Sequence, residues 1–345
     1  MTQLHDIQAA AGATFDSNIP VSFGNDAAAL EAAQNGVAIC DRSSWGIIQV
    51  TDSDRIRFLH NQSTNNFERL KPGEGCDTVF VTSTARTIDL ATAYVTDDSV
   101  LLIVSPNRHE YLMQWLDRYI FFADKVELTD ITGKVAIFSL IGDKSSDLFS
   151  KLGINSIIGQ PYGTHQIVNL SAEVRVAVGS GLATPGYTLL VPAENAANVW
   201  KILVEAGAVP MGDDLWEQLR IQQGRPVPDK ELTDEYNPLE AGLLQTISFD
   251  KGCYIGQETI ARLNTYKGVK QNLWGISLDA PAEVGSAIMV GEEKVGKLTS
   301  IVKSDRGFFG LGYIRTKAGG AGLKVQVGET TGEVVDVPFL SRISL

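Results

Sequence analysis

The sequence predicts a mixed α and β protein in two parts: a long helix-and-strand region, then a small antiparallel β domain. Two patterns carry this reading. Strand-like and helix-like segments alternate from Trp45 to Gln223. After Lys270 the chain turns to short apolar runs separated by glycine, namely LWGISL, SAIMV, KVGKLTSIV, FFGLGYI, LKVQV and GEVVDV. Six short strands at that spacing suit a barrel or a sandwich. A chain of 345 residues also exceeds one minimal domain, so two or three cores are expected.

Residues 27–31 read as a short helix, and GVAICDRSSWGIIQV as a turn and then a strand from Trp45 to Val50. Asp52 or Ser53 can cap a helix that carries Ile56 and Leu59 on one face. That helix must fail at the polar cluster His60 to Asn66, whose side chains compete for the backbone. The run Asn61 to Asn66 either lines a polar pocket or is a solvated loop. DTVFVTS and TIDLATAYV are strands joined by a hairpin near Ser83 to Arg86. Asp89 lies inside the second strand; buried there it needs a partner or a function, and an outward edge position is the alternative.

VLLIV is a third strand. Pro106 then opens a helix with Ser105 as cap and an apolar face of Tyr111, Met113, Trp115, Leu116 and Tyr119. KVAIFSLIG is a strand, SSDLFSKLG a short helix, and VRVAVGSG and GYTLLVP a strand pair. NAANVWKILVEAG is a helix closed by Gly207, and a further helix runs from about Asp213 to Gln223. The acidic stretch VPDKELTDEYNPLEAGLL is a long loop.

Composition narrows the function classes. The formal net charge of -12 argues against a sequence-blind nucleic-acid binder, which displaces counterions with basic patches. The three cysteines, Cys40, Cys76 and Cys253, are too scattered for a disulfide framework, so a reducing compartment, the cytoplasm, is expected. No CxxC or HExxH occurs, so no metal site is expected from spacing. The longest strongly apolar run, Val100 to Val104, is far below the ~20 residues of a membrane helix. No membrane association is expected.

The stretch KGCYIGQETIAR, Lys251 to Arg262, stands out. Two glycines in five residues cost roughly 1 kcal/mol each inside a helix, so GCYIG reads as a tight turn before a helix that starts near Gln257. A thiol on a turn, beside Lys251 and just before a helix N-terminus, is where a reactive cysteine is expected. A small buried hydrophobe is the competing reading of Cys253.

LRIQQGRP, then NPLEAGLLQTISFDKGCYIGQETIAR, then the glycine-rich β tail closely resemble the folate-binding YgfZ proteins, within the superfamily of the glycine-cleavage T-protein, an aminomethyltransferase. The resemblance runs from about Ala28 to Arg342, and its most specific part is the block Lys251 to Glu258. It implies an α+β fold: interleaved α/β subdomains around a central folate cavity over residues 1–268, then a small antiparallel β-barrel over 269–345. It implies tetrahydrofolate, or a one-carbon-substituted form, as cofactor. It further implies a role in assembling or repairing iron–sulfur clusters, with client or assembly proteins as partners.

The same resemblance assigns sites. Cys253, Lys251 and Asp89 are the reactive candidates. Gln62, Thr64, Asn65, Asn66, Tyr187, Arg220, Gln257 and Glu258 are the folate candidates. Thr64-Asn65-Asn66 stands where many aminomethyltransferases have Thr-Asn-Asp, and Thr87-Ile88-Asp89-Leu90 where they have Ile-Asp-Asp-Leu. Thr188 replaces the glutamate of Gly-Tyr-Glu, and Gln222-Gln223 the Glu-Ala that follows the arginine matched by Arg220. Methylene transfer needs a carboxylate near the folate ring. These losses point to retained folate binding without ordinary aminomethyltransferase activity. A folate-dependent aminomethyltransferase or demethylase is the alternative.

Overall fold

The computed structural model describes residues 2–304 and 307–342, and the chain divides into two compact units. The first comprises residues 1–58, 69–77 and 91–217; the second comprises 59–68, 78–90 and 218–345. The chain thus passes into the second unit twice before it enters for good at Gln218.

The first unit holds a six-stranded sheet in the order His165–Asn169, Glu173–Val178, Gly186–Pro192, Val135–Ile141, Ala38–Asp41, Val209–Met211. Neighbours are antiparallel except the last pair, where Val209↔Ala38 opens a parallel ladder. The central strand Val135–Ile141 is buried along almost its whole length, as a run apolar but for Ser139 requires. The helix Ala196–Glu205 lays Val199, Trp200 and Leu203 into the same core, where Trp200 stacks on Phe23 and meets Phe138 edge-on.

A five-stranded antiparallel sheet follows the order Gly75–Val81, Thr87–Val95, Ser99–Val104, Gly46–Thr51, Glu127–Asp130. The helix predicted from Pro106 starts three residues later, at His109. Asn107 has a left-handed backbone, φ 59°, which no α-helix accommodates. Its buried stripe is Leu112, Trp115 and Leu116, while Tyr111, placed on the apolar face by sequence, is exposed.

The second unit ends in a closed six-stranded barrel, in the order Gln271–Leu278, Gly307–Arg315, Glu293–Ser304, Ala287–Val290, Lys324–Val327, Thr330–Val335. Closure comes from the pairing of Thr330–Val335 back onto Gln271–Leu278, which removes the free edges a sandwich would expose. Ile276, Ile288, Leu298, Ile314, Val327 and Val334 fill its interior.

The acidic stretch predicted as a loop, residues 227–244, carries little regular structure. It is nonetheless core. Leu232, Tyr236, Leu239, Ala241 and Leu243 are buried with Val79, Leu90 and Tyr313 in one apolar cluster. A buried loop must satisfy its backbone locally. Asn237 Oδ1 accepts from the amides of Leu239 and Glu240, both at 3.0 Å, and the Tyr236 carbonyl accepts from Thr87 N at 3.0 Å. Among the described residues, no helix is long and apolar enough to cross a membrane.

Candidate functional site: a thiol loop built on a helix end

The helix Arg55–Gln62 ends at the polar cluster that sequence marked as its stop. An α-helix leaves its last carbonyls without intrahelical donors. Here they are met one by one. Ser63 Oγ donates to the Leu59 carbonyl at 2.9 Å, and Ile255 N to the Asn61 carbonyl at 3.1 Å. Lys251 Nζ donates to the His60 carbonyl, and also to those of Ser63 and Asn65, each at 2.7 Å. Three acceptors match the three donors of an ammonium group. Lys251 is 7% exposed, and its charge also lies over the Tyr254 ring, 4.6 Å from the centroid.

The loop is fastened on both sides of these contacts. Ser248 N donates to the Thr64 carbonyl at 3.0 Å, and Thr64 Oγ1 to the Thr246 carbonyl at 2.8 Å. Tyr254 is buried in the apolar cluster, which pushes its hydroxyl pKa up to about 12. Gly256 takes a left-handed backbone, φ 81°, as the residue before the helix Gln257–Thr265. A Cβ there would lie 2.8 Å from the Thr82 carbonyl oxygen. Gln257 Nε2 closes the ring by donating to the Gly252 carbonyl at 3.3 Å.

With its neighbours held in this way, Gly252 and Cys253 are left exposed. The buried-hydrophobe reading of Cys253 is therefore excluded. Cys40 is buried, its thiol pushed well above the usual range first by desolvation, and Cys76 is half-buried. All three are free thiols. Among the described residues, no cluster of three or more His, Cys, Asp or Glu is placed to hold a metal ion.

The remaining candidates are more dispersed than sequence implied. Thr64 is fully buried, and its hydroxyl is engaged in the frame: besides donating to Thr246, it accepts from Val79 N at 3.0 Å. Asn65 Oδ1 accepts from Asn66 N at 2.8 Å. Gln62 is buried, and its Oε1 meets no hydrogen-bond donor. His60 lies beneath the loop, with Nε2 3.9 Å from a Cβ built on Gly252 and the same distance from Glu68. Burial first, and then the Lys251 charge, lower its pKa. Glu258 is exposed in the first turn of its helix.

Asp89 is fully buried, which rules out the outward edge position. Arg220 is also fully buried. Its Nη1 pairs with Glu231 at 2.9 Å, and its Nη2 donates to Ser300 Oγ at 3.1 Å. Thr299 Oγ1 and Val227 N also donate to the Glu231 carboxylate. Glu231 was invisible as a partner because it sits in the acidic stretch read only as a loop; nothing but the buried arginine's need for a counter-charge could have pointed to it. Tyr187 belongs to the first unit, where its hydroxyl is bonded to Ser146 Oγ at 2.8 Å and its ring packs on Phe149. Thr188 Oγ1 donates to the Gly179 carbonyl at 2.7 Å.

Comparison with known proteins adds the family. A family model described as the GCVT N-terminal domain matches residues 2–251. A protein of Arabidopsis thaliana named as a chloroplastic "Putative transferase" is 50% identical over 343 residues, covering 98% of this chain and 79% of its own. An aminomethyltransferase of Caldanaerobacter subterraneus is 26% identical, over 82% of this chain and 77% of its own. Among solved structures, the glycine cleavage system aminomethyltransferase T of Bartonella henselae superposes with a TM-score of 0.87, over 99% of this chain and 98% of its own, at 16% identity. At that identity the likeness speaks for the fold.

Proposed function

The chain belongs to the GCVT N-terminal domain family, and from that premise we propose that it is a YgfZ-type tetrahydrofolate-binding protein that assists iron–sulfur cluster assembly or repair in other proteins. Cys253 is its working thiol in this reading. The observation that carries it is the division of labour within Lys251 to Gln257. Lys251, Tyr254, Gly256 and Gln257 hold the loop, and the reactive side chain among them is left in solvent. One thiol supplies one of the four thiolates a cluster commonly takes, so the cluster is cargo and the other ligands come from a client or assembly partner.

Folate is supported by the residues near the helix end. Gln62 Oε1 is a buried acceptor without a donor, and a pterin ring is rich in N–H donors. Gln62, Asn65 and Asn66 are the residues we assign to hold it. Bound tetrahydrofolate carries one-carbon units and is itself readily oxidised. Thr188, bonded within its own sheet, offers no acid to replace the glutamate of the enzymes. The free thiols suit a reducing compartment. We place the protein in the cytoplasm, with the chloroplast named for the plant relative as the alternative.

A second reading, a folate-dependent aminomethyltransferase or demethylase, is favoured by one observation: Asp89 is a carboxylate buried to 0% exposure in a strand rich in small and apolar residues. Turnover of an aminomethyl-lipoyl donor with tetrahydrofolate, lost in Asp89→Asn, would support it. The first reading is tested by deleting the gene and assaying several cluster enzymes under oxidative stress, alongside calorimetric titration of the purified protein with tetrahydrofolate. Reduced cluster-enzyme activities and saturable binding are expected. Undiminished activities would contradict the cluster role, and absence of binding the folate role.

A further inference from the structure

The first unit contains a separate cavity of about 260 Å3. Four segments bring polar groups to it. His5 comes from the helix Thr2–Ala10, Asn18 from the hairpin Thr14–Ser22, Asp41, Ser43 and Ser44 from the end of the strand Ala38–Asp41, and Asn107 from the turn before the helix His109–Asp117. None of these residues entered the reading of the thiol loop.

Its charge balance is unusual. Asp41 lines the cavity and is 4% exposed, and the hydrogen bonds it accepts come from neutral donors. These are Gln8 Nε2 at 2.8 Å, Ser43 N at 3.0 Å and Ser43 Oγ at 2.5 Å. The neighbouring cation, Arg42, turns elsewhere: it stacks 3.8 Å over the Trp45 ring and donates to Ser139 Oγ at 3.1 Å. Gln8, fully buried, keeps its Oε1 without a donor. A negative carboxylate therefore lines a cavity whose other polar walls are the His5 imidazole, serine hydroxyls and asparagine amides. None of the lining residues carries a permanent positive charge, and a buried carboxylate calls for a counter-charge.

We propose that this cavity binds a small molecule carrying a primary ammonium group. An ammonium presents one positive charge and three donors in a compact head, which matches one carboxylate and surrounding neutral oxygens. A guanidinium would need both Asp41 oxygens together in one plane, and both already accept from Gln8 and Ser43, whereas an ammonium needs only a remaining lone pair on one of them. A metal ion would need more anionic ligands than the single carboxylate present. The volume admits a ligand of roughly ten non-hydrogen atoms at most, the size of a short amino alcohol or diamine.

The test is isothermal titration calorimetry on the full-length protein with ethanolamine and putrescine, against ethylene glycol and 1,4-butanediol as neutral counterparts, at matched ionic strength. Saturable binding of at least one amine is expected, at least tenfold tighter than its diol. Asp41→Asn should weaken that binding tenfold or more, and Ser44→Trp, which fills the cavity from its rim, should abolish it. Should Asp41→Asn fail to fold, Ser44→Trp carries the test, with thermal melting as the check on its fold. No saturable amine binding, equal binding of the diols, or binding unchanged in a folded Ser44→Trp would each overturn the proposal.

Discussion

Lys251 and Cys253 are two residues apart and have opposite fates. The ammonium of Lys251 is drawn inward because a helix end and two following turns present carbonyls that need donors. Lys251→Met keeps the apolar stem and removes the donors, leaving buried carbonyls unpaired. Chemical denaturation should show a loss of roughly 2–4 kcal/mol. Cys253, being exposed, contributes little to packing. Cys253→Ala should leave stability within about 0.5 kcal/mol of the parent protein. Gly256→Ala should cost about 1–3 kcal/mol, since it forces a side chain into the left-handed region and against the Thr82 carbonyl. A Gly256→Ala protein as stable as the parent would contradict the loop geometry.

At the scale of elements, the Arg220–Glu231 pair ties the C-terminal end of the helix Asp213–Gln223 to the acidic stretch and, through Thr299 and Ser300, to the barrel strand Glu293–Ser304. Removing one partner strands a buried charge, so Arg220→Met alone should cost about 3–5 kcal/mol. Arg220→Met with Glu231→Leu should cost clearly less than the sum of the singles, as a double-mutant cycle would show. This is also where the sequence became opaque. The six barrel strands were legible because glycine punctuates short apolar runs, and the helix Gln257–Thr265 because Gly256 precedes it. The strand Ala38–Asp41 was not, since its three apolar residues run straight into Asp-Arg-Ser-Ser and read as a turn. The edge strand His165–Asn169 was passed over because its sequence is largely polar and only His165 is buried. The burial of the stretch 227–244 could not be read because its polar groups are satisfied by specific side chains rather than by a periodic ladder. Display of Cys253 was anticipated as a turn. The frame that displays it was not, because the partners of Lys251 lie 186 to 191 residues away in the chain.

Over the whole molecule, the buried His165 and the half-buried Asp213 set opposing pH responses. Burial raises Asp213 to about 6, so folding favours its protonated form. Its contribution is fully present below the unfolded value near 3.9 and is lost as pH rises through about 6. Burial lowers His165 to about 4, so folding favours its neutral form. Its contribution is present above the unfolded value near 6.5 and is lost as pH falls through about 4. The two slopes oppose each other between about pH 4 and 6, and the parent protein should show little net dependence on them there. Asp213→Asn should stabilise by about 1–2 kcal/mol at pH 7, a gain that vanishes near pH 4. Denaturant midpoints across that range would expose a slope in this variant that the parent conceals.

The function proposed above rests on one exposed thiol, Cys253. The most direct test compares a deletion strain complemented with the parent protein and with Cys253→Ala at equal cellular levels, reading the activity of several cluster enzymes. Cys253→Ala is expected to accumulate, fold and bind tetrahydrofolate like the parent yet leave those activities depressed. Full restoration by Cys253→Ala would contradict the proposed function.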